Sequence, residues 1–332
     1  MILDGTKNNV SSNLSDVRQF TIAGTDNIFQ TLSSRLYTNP IRAIIRETVS
    51  NAIDAHIMAN SDEEIHLHLP SRIEPEFYVE DFGIGMDEET IFQVYTQYGN
   101  STKGDSNTCI GGLGLGSKTP FSYTSQFTVV SCKNGIKNTY IAFLDDNGIP
   151  SISKVDSCDC DQPGTKVSFP VNLNDLSSFY EEAVLTLLFS TQMPKLIGGD
   201  QRFLSEANVS SLEEFLECRK AVAENTLLEY TEHEKAVAII RNSSYNASIL
   251  VEMGGVPYSV DSSEILGGDR WEGLLRYFVN RNGRTVLHLP IGSVNIQSSR
   301  EALQYTTKTK NTINTALVKE FIAQANNLYN AA

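Results

Sequence analysis

Two alternating runs, "QFTVVSCK" and "IKNTYIAFL", are separated only by Asn134 and Gly135. Asn-Gly accepts the left-handed backbone of a two-residue hairpin turn, so the runs read as antiparallel strands. "EIHLHLP" and "EFYVEDFG" alternate in the same way and read as paired strands, and "GTKVSFPV" adds a later one. Mainly antiparallel strands mixed with helices make the first part of the chain α+β. Upstream, "RQFTIAG" reads as a short strand, followed by a helical stretch from Asp26 to about Tyr37. Around Pro170 the pattern changes. A helix from about Leu176 to Gln192 opens a second region, of mixed αβ character, with strands "KAVAIIRN", "ASILVEMGG" and "TVLHLPIG" and a closing helix from about Thr309 to Asn330. At 332 residues the chain is long enough for two cores, and the boundary falls near residue 172.

Between about Ile41 and Asn60 the period is helical. "TNP" breaks the chain before it, with Thr38 or Asn39 placed to cap and Pro40 suited to the first turn. At about 100° per residue, Glu47, Asn51 and Asp54 fall within roughly one 60° sector, while Ile41, Ile45, Val49 and Ala52 gather opposite. Taken alone, this pattern fits an amphipathic helix with a solvated polar face, and other stretches must decide.

The net charge of −14 argues against wrapping a nucleic-acid backbone, which needs clustered Lys and Arg. The start "MILDGTKNNVSSN" lacks the basic and apolar regions of a signal peptide, and no run of about 18 apolar residues occurs, so the expected location is cytoplasmic. The five cysteines are odd in number and scattered, which suits reduced thiols. "DSCDCDQPG" offers a Cys pair but no second pair to complete a zinc site, and reads as an acidic surface loop.

Two glycine-bearing segments carry the chemistry. In "VEDFGIGMD" Asp81 ends a strand and can accept from an exocyclic amine, while Gly83 and Gly85, before Met86, let backbone approach a ligand. "DFG" also occurs in protein kinases, but the Gly-rich loop, strand Lys and H-R-D loop that must precede it are missing. In "YGNSTKGDSNTCIGGLGLGSKTPFSY" the glycines Gly111, Gly112, Gly114 and Gly116 lead into a short helix, with Lys103 and Lys118 on either side. Successive N–H groups at a helix start suit a di- or triphosphate. The spacing fits neither a Rossmann fingerprint nor a P-loop.

The order of these features is the specific signal: E-x3-N-x2-D-A on a helix, D-x-G-x-G-M, G-x2-G-x-G, then "GTKVSF". It resembles the ATP-binding domain of the GHKL superfamily, which includes gyrase B, Hsp90, histidine kinases and MutL. The resemblance implies an α/β sandwich over residues 1–172, with a mobile lid at about 97–120. It implies Glu47 as the general base, Asn51 as a Mg²⁺ ligand and Asp81 as acceptor for the adenine amine, supported by Thr165 through water. Gly83, Gly85 and Met86 would shape the adenine pocket, and Gly111, Gly112, Gly114, Gly116, Lys103 and Lys118 would hold phosphates. Asp54 would lie behind these residues.

Residues 173–332 resemble the Hsp90 middle, or transducer, domain. In "GSVNIQSSREALQ" the resemblance implies that Arg300 reaches across to the γ-phosphate, with Gln304 one helical turn later. "LSSRLYTNPIRAIIRETVSNAIDAH", "IGGLGLGSKTPFSYT" and "MGGVPYSVD" are also similar to the phage rapid-lysis RIIA family, which is associated with lysis control and prophage exclusion. These likenesses imply a slow, Mg-dependent ATP-hydrolysing switch with a host or phage protein partner. They leave open a homodimer and a peripheral attachment to the inner membrane. The alternative is a nucleotide-gated partner-binding module in which turnover is incidental. A topoisomerase subunit lacks support, with no DNA-cleavage region and no basic groove. A histidine kinase fits least, since no His precedes Glu47.

Overall fold

The computed structural model describes residues 36–97, 116–243, 247–265, 283–297 and 299–331. The expected strand "RQFTIAG" and the helix beginning at Asp26 lie outside the described residues, apart from the last two positions of that helix. Leu36 and Tyr37 are not helical.

Helix α1 spans Pro40–Ala59. Asn39 caps it, its side chain accepting from the Arg42 N–H at 3.1 Å, and Pro40 lies at the start, where its missing N–H is harmless. Asn60 ends the helix in the left-handed conformation. Strands β1 (His66–His68), β2 (Glu76–Asp81), β3 (Gln126–Lys133), β4 (Ile136–Leu144), β5 (Pro150–Asp159), β6 (Gly164–Pro170) and β7 (Lys195–Leu196) form one seven-stranded sheet in the order β5-β4-β3-β6-β2-β1-β7. Every pairing is antiparallel except that of β1 with β7. The Asn134-Gly135 turn between β3 and β4 has positive φ at both residues, as the two-residue loop requires.

The inward face of this sheet, with Phe77, Val79, Phe127, Val129, Tyr140 and Phe169, packs on Ile44, Ile45, Val49 and Ile53 of α1. Helix α2 (Leu176–Phe189) joins the same core. Phe179 lies 5.3 Å from Phe77 and 5.5 Å from Tyr123 between ring centroids. Such aromatic pairs add about 0.5–1.5 kcal/mol each beyond area burial. Beyond α2 come α3 (Asp200–Ala207), α4 (Leu212–Glu224) and α5 (Glu234–Arg241).

A second sheet contains β8 (Leu227–Leu228), β9 (Ile249–Met253), β10 (Val256–Ser259) and β11 (Arg284–His288), in the order β10-β9-β11-β8. Its core includes Val251, Tyr258, Val294, Ile296 and Leu303, closed by Ile313 of the final helix α6 (Thr307–Ala331). The architecture is the expected α+β type, with a large sheet backed by helices.

Three expectations need correction. "KAVAIIRN" is helix α5, not a strand, and its buried positions Ala236, Val237, Ile239 and Ile240 follow helical spacing. A short apolar run satisfies both periods, and packing decides between them. "DSCDCDQPG" is not simply a loop, since Asp156–Asp159 extend the exposed edge strand β5. The cysteines are not all free. Cys132 and Cys160 form a disulfide with a Cα–Cα distance of 6.4 Å, while Cys158 and Cys218 are thiols. Pairing of β3 with β4 and of β4 with β5 closes a sequence separation of 28 residues, a proximity invisible in linear spacing.

Candidate functional site

The polar stripe of α1 is not a solvated face. Glu47 is 3% exposed and Asp54 is fully buried, while Asn51, one turn after Glu47, is half-buried. Burying a carboxylate is costly unless it is paired. Among the described residues, two arginines pair with Glu47. Arg46 donates from Nε to its Oε1 at 3.1 Å, and Arg300 donates from Nη1 to Oε1 and Oε2 at 3.2 and 3.1 Å.

Arg300 comes from the second region. It follows Ser299 in a tight turn closed by the Ile296–Leu303 bridge, in which Arg300 N–H donates to the Gln297 carbonyl and Gln297 N–H donates to that of Ala302. Arg300 has φ 57°, which costs an L-residue about 1–2 kcal/mol, so other contacts must hold it there. Arg46 supplies two of them, donating to the carbonyls of Arg300 at 2.8 Å and Ser299 at 3.1 Å. Burial works against the Arg300 charge, but Glu47, Tyr258 of β10 and Tyr37 outweigh it and raise the pKa above the usual guanidinium value. Tyr37 is itself raised, first by burial and then by the Glu47 charge.

The turn differs from the expected helix start. Helix α6 begins only at Thr307, so Gln304 is not one helical turn beyond Arg300. Gln304 is exposed, and its N–H donates to the Asn295 carbonyl. No described contact brings its side chain to the Glu47–Arg300 pair.

About two turns further along α1, against Ala55 and His56, lies the strand-end cluster. Asp81 is the last residue of β2, opposite Thr165 of β6. It is 7% exposed, and its Oδ1 accepts from the Gly83 N–H at 2.9 Å. Burial pushes its pKa up to about 7, against the pull of the N–H groups of Gly83 and Thr165. A Cβ at Gly83 would collide with the Ala55 backbone of α1. Gly85, at φ 60°, lies against the Cys132 carbonyl, so both glycines are needed for close approach. Ser131 ties the corner together. Its hydroxyl accepts from the Met86 N–H at 2.8 Å, donates to the Gly164 carbonyl at 3.1 Å and lies 2.9 Å from the Thr165 hydroxyl.

The described end of the glycine-rich segment is a 3₁₀ helix, Gly116–Ser122. Gly116 lies against the Glu47 carboxylate, where a Cβ would collide with Oε2. Lys118 is buried, and its ammonium donates to the Gln97 carbonyl at 2.7 Å. Tyr95 Oη donates to the Ser117 carbonyl at 3.1 Å, so the two ends of the segment between are stitched together. Burial lowers the Lys118 pKa to about 8. Lys103, Gly111, Gly112 and Gly114 lie outside the described residues.

Sequence reasoning therefore named Glu47, Arg300, Asp81, Thr165 and Gly116, which fall into two clusters, one at Glu47 in the middle of α1 and one toward its C-terminal end, but missed Arg46, Tyr37, Tyr258 and Ser131. Ser131 had a signal, a polar residue in line with the inward-facing Phe127 and Val129. The others had none, because the residue that draws Arg46, Tyr37 and Tyr258 into the site, Arg300, is distant from each of them in the chain.

Among the described residues, no cluster of His, Cys, Asp or Glu could alone hold a metal, and no helix is long and apolar enough to cross a membrane. Residues 38–164 match the family model of histidine kinase-, DNA gyrase B-, and HSP90-like ATPases. This segment is therefore of the GHKL ATP-binding type, and α1, β2 and the glycine-rich segment all lie within it. No curated protein matches the chain.

Proposed function

We propose that the protein is a Mg-dependent ATP-binding switch that hydrolyses ATP slowly, with an active site completed by the second region. The observation that carries this reading is the contact of Arg300 with Glu47, 253 residues apart, beside the Gly116 backbone.

In this reading Asp81 accepts from the adenine amine, with Thr165 assisting through water, and Gly83, Gly85 and Met86 shape the adenine site. The backbone from Gly111 through Gly112 and Gly114 to Gly116 holds phosphates, with Lys103 beside it. Lys118 acts on the same segment through its bond to Gln97. Asn51 supplies an amide oxygen to Mg²⁺, which typically takes one or two protein ligands and keeps several waters. The bound ion would supply charge neutralisation for the phosphates. Glu47 orients or deprotonates the attacking water.

The double pairing of Glu47 has a chemical consequence. Two guanidiniums occupy the carboxylate oxygens that a base would use, so a pair must break before Glu47 can take a proton from water. A γ-phosphate, as the more highly charged anion, would compete with Glu47 for Arg300. Transfer of Arg300 to the phosphate frees one side of the base and places a cation where charge develops, as an arginine finger does. The need to break a buried pair first favours slow turnover.

The same pairing supports a second reading, a nucleotide-gated module that recruits a protein partner while hydrolysis is incidental. The likeness of "IGGLGLGSKTPFSYT" and "MGGVPYSVD" to the phage RIIA family supports a role in lysis control and prophage exclusion with a host or phage partner. Calorimetry with Mg-ATP and steady-state phosphate release by the full chain test the reading. Micromolar-to-millimolar binding with slow release is expected, and absence of ATP binding overturns both readings. Retention of partner recruitment by a hydrolysis-dead Glu47 variant selects the second.

A further inference from the structure

Helix α1, which carries Glu47, begins without an acid of its own. Its first turn contains no Asp or Glu, although a negative charge is favoured at a helix N-terminus. The third helical position, where a capping box places a Glu that reaches back to the cap N–H, is Arg42. Asn39 covers the Arg42 N–H, and Arg42 itself is drawn off to Glu182 at 2.6 Å. The missing carboxylate comes from the other end of the chain. Glu301 accepts from the Thr38 N–H through Oε2 at 2.8 Å and from the Asn39 N–H through Oε1 at 2.9 Å.

Glu301 directly follows Arg300, so the strained turn is gripped on both sides. Arg46 holds the carbonyls of Ser299 and Arg300, while Glu301 holds the start of the helix. The two grips lie about two helical turns apart on α1, which fixes the turn in orientation as well as position. From this seat Arg300 reaches Glu47.

We infer that Glu301 is a positioning residue for the ATPase reaction: by capping α1 it seats the Ser299–Arg300 turn where Arg300 reaches Glu47. It touches neither nucleotide nor base. The inference rests on the proposed ATPase reading. It makes seating of the second region and completion of the start of α1 one event, because the cap exists only when the turn is docked.

The test uses the full chain as wild type, Glu301→Gln, Glu301→Ala, Arg300→Ala and the double variant Glu301→Ala with Arg300→Ala. Glu301→Gln keeps the shape and one acceptor oxygen but loses the charge. The expected result is a fall in kcat of about 10-fold or more with KM for ATP unchanged, from loss of charge-assisted hydrogen bonds. In the Arg300→Ala background, Glu301→Ala should give no further loss. A purely structural role would lower both backgrounds equally, and that result overturns the inference, as does an unchanged kcat. Amide hydrogen exchange gives a readout that does not depend on turnover. The Thr38 and Asn39 amides should be protected in wild type and exchange faster in Glu301→Ala. Equal rates remove the cap and the inference with it. Protection lost on substitution in a chain that hydrolyses no ATP keeps the docking contact but rejects both the ATPase reading and the catalytic role placed on it.

Discussion

Arg300 Nη1 lies 3.2 and 3.1 Å from the two carboxylate oxygens of Glu47, joining a turn of the second region to the middle of the first helix. Both side chains are nearly excluded from solvent, at 11% and 4% exposure. Screening by salt is therefore weak, and removal of either partner leaves a charge with less compensation.

Arg300→Ala should lower kcat far more than ATP affinity, since the cation matters most for charge in the transition state. Glu47 keeps Arg46 in this variant, so the stability loss should stay below the roughly 3–5 kcal/mol typical of a fully orphaned buried charge. Steady-state kinetics beside calorimetric titration checks the split. Equal falls in kcat/KM and affinity, with kcat unchanged, would show that Arg300 only binds.

Glu47→Ala should retain ATP binding and lose turnover by about 10²–10⁴-fold. Single-turnover measurement with labelled ATP reads this directly. Hydrolysis at the wild-type rate would place the base elsewhere.

Asp81 links nucleotide affinity to pH. Its pKa of about 7 means that the ionised acceptor is present above that value, so ATP affinity should rise between pH 6 and 8. The stability effect has the opposite sign. Between about pH 4 and 7 the folded state binds a proton that the unfolded state has released, so Asp81 lowers stability as pH rises through that window. Asp81→Asn should therefore weaken ATP binding and raise the melting temperature at pH 8. A flat affinity between pH 6 and 8, with the variant no more stable at pH 8, would remove Asp81 from both roles.

His288 gives a second pH signature, away from the site. Its Nδ1 lies 2.9 Å from Glu252 Oε2, and this hydrogen bond, against the effect of burial, raises its pKa. The carbonyl groups of Val222 and Asn225, at the end of α4, favour the charged ring as well. A raised His pKa contributes stability fully below the unfolded value of about 6.5 and loses it as pH rises through the folded value. His288→Gln should cost most near pH 5 and little near pH 9. Thermal melts across that range, with a difference independent of pH, would rule out the ion pair.

The Cys132–Cys160 disulfide should contribute about 2–4 kcal/mol by restricting the unfolded chain. Reductant should lower the melting temperature of wild type and leave that of Cys132→Ala with Cys160→Ala unchanged. Equal responses to reductant in the two proteins would show that the bond does not stabilise the fold.

The residues that shape one local piece of backbone were readable from sequence. Asn39 and Pro40 start α1, Asn134-Gly135 turns the hairpin, and alternation along β2 and β3 separates their inner and outer faces, because each effect acts within a few residues. The glycines Gly83 and Gly85 could be marked as points of close approach for the same reason. What approaches them, Ala55 and the Cys132 carbonyl, depended on the fold. Tertiary structure alone decided that "KAVAIIRN" is a helix, since its apolar run satisfies two periods and only the surface it packs on breaks the tie. It also decided the disulfide and the burial of Glu47, which the helical pattern by itself would place in solvent. The grip of Arg46 and Glu301 on the turn bearing Arg300 belongs to the same class. Those contacts join residues more than 250 positions apart, and a linear sequence carries no distance between them until two sheets and their helices have packed.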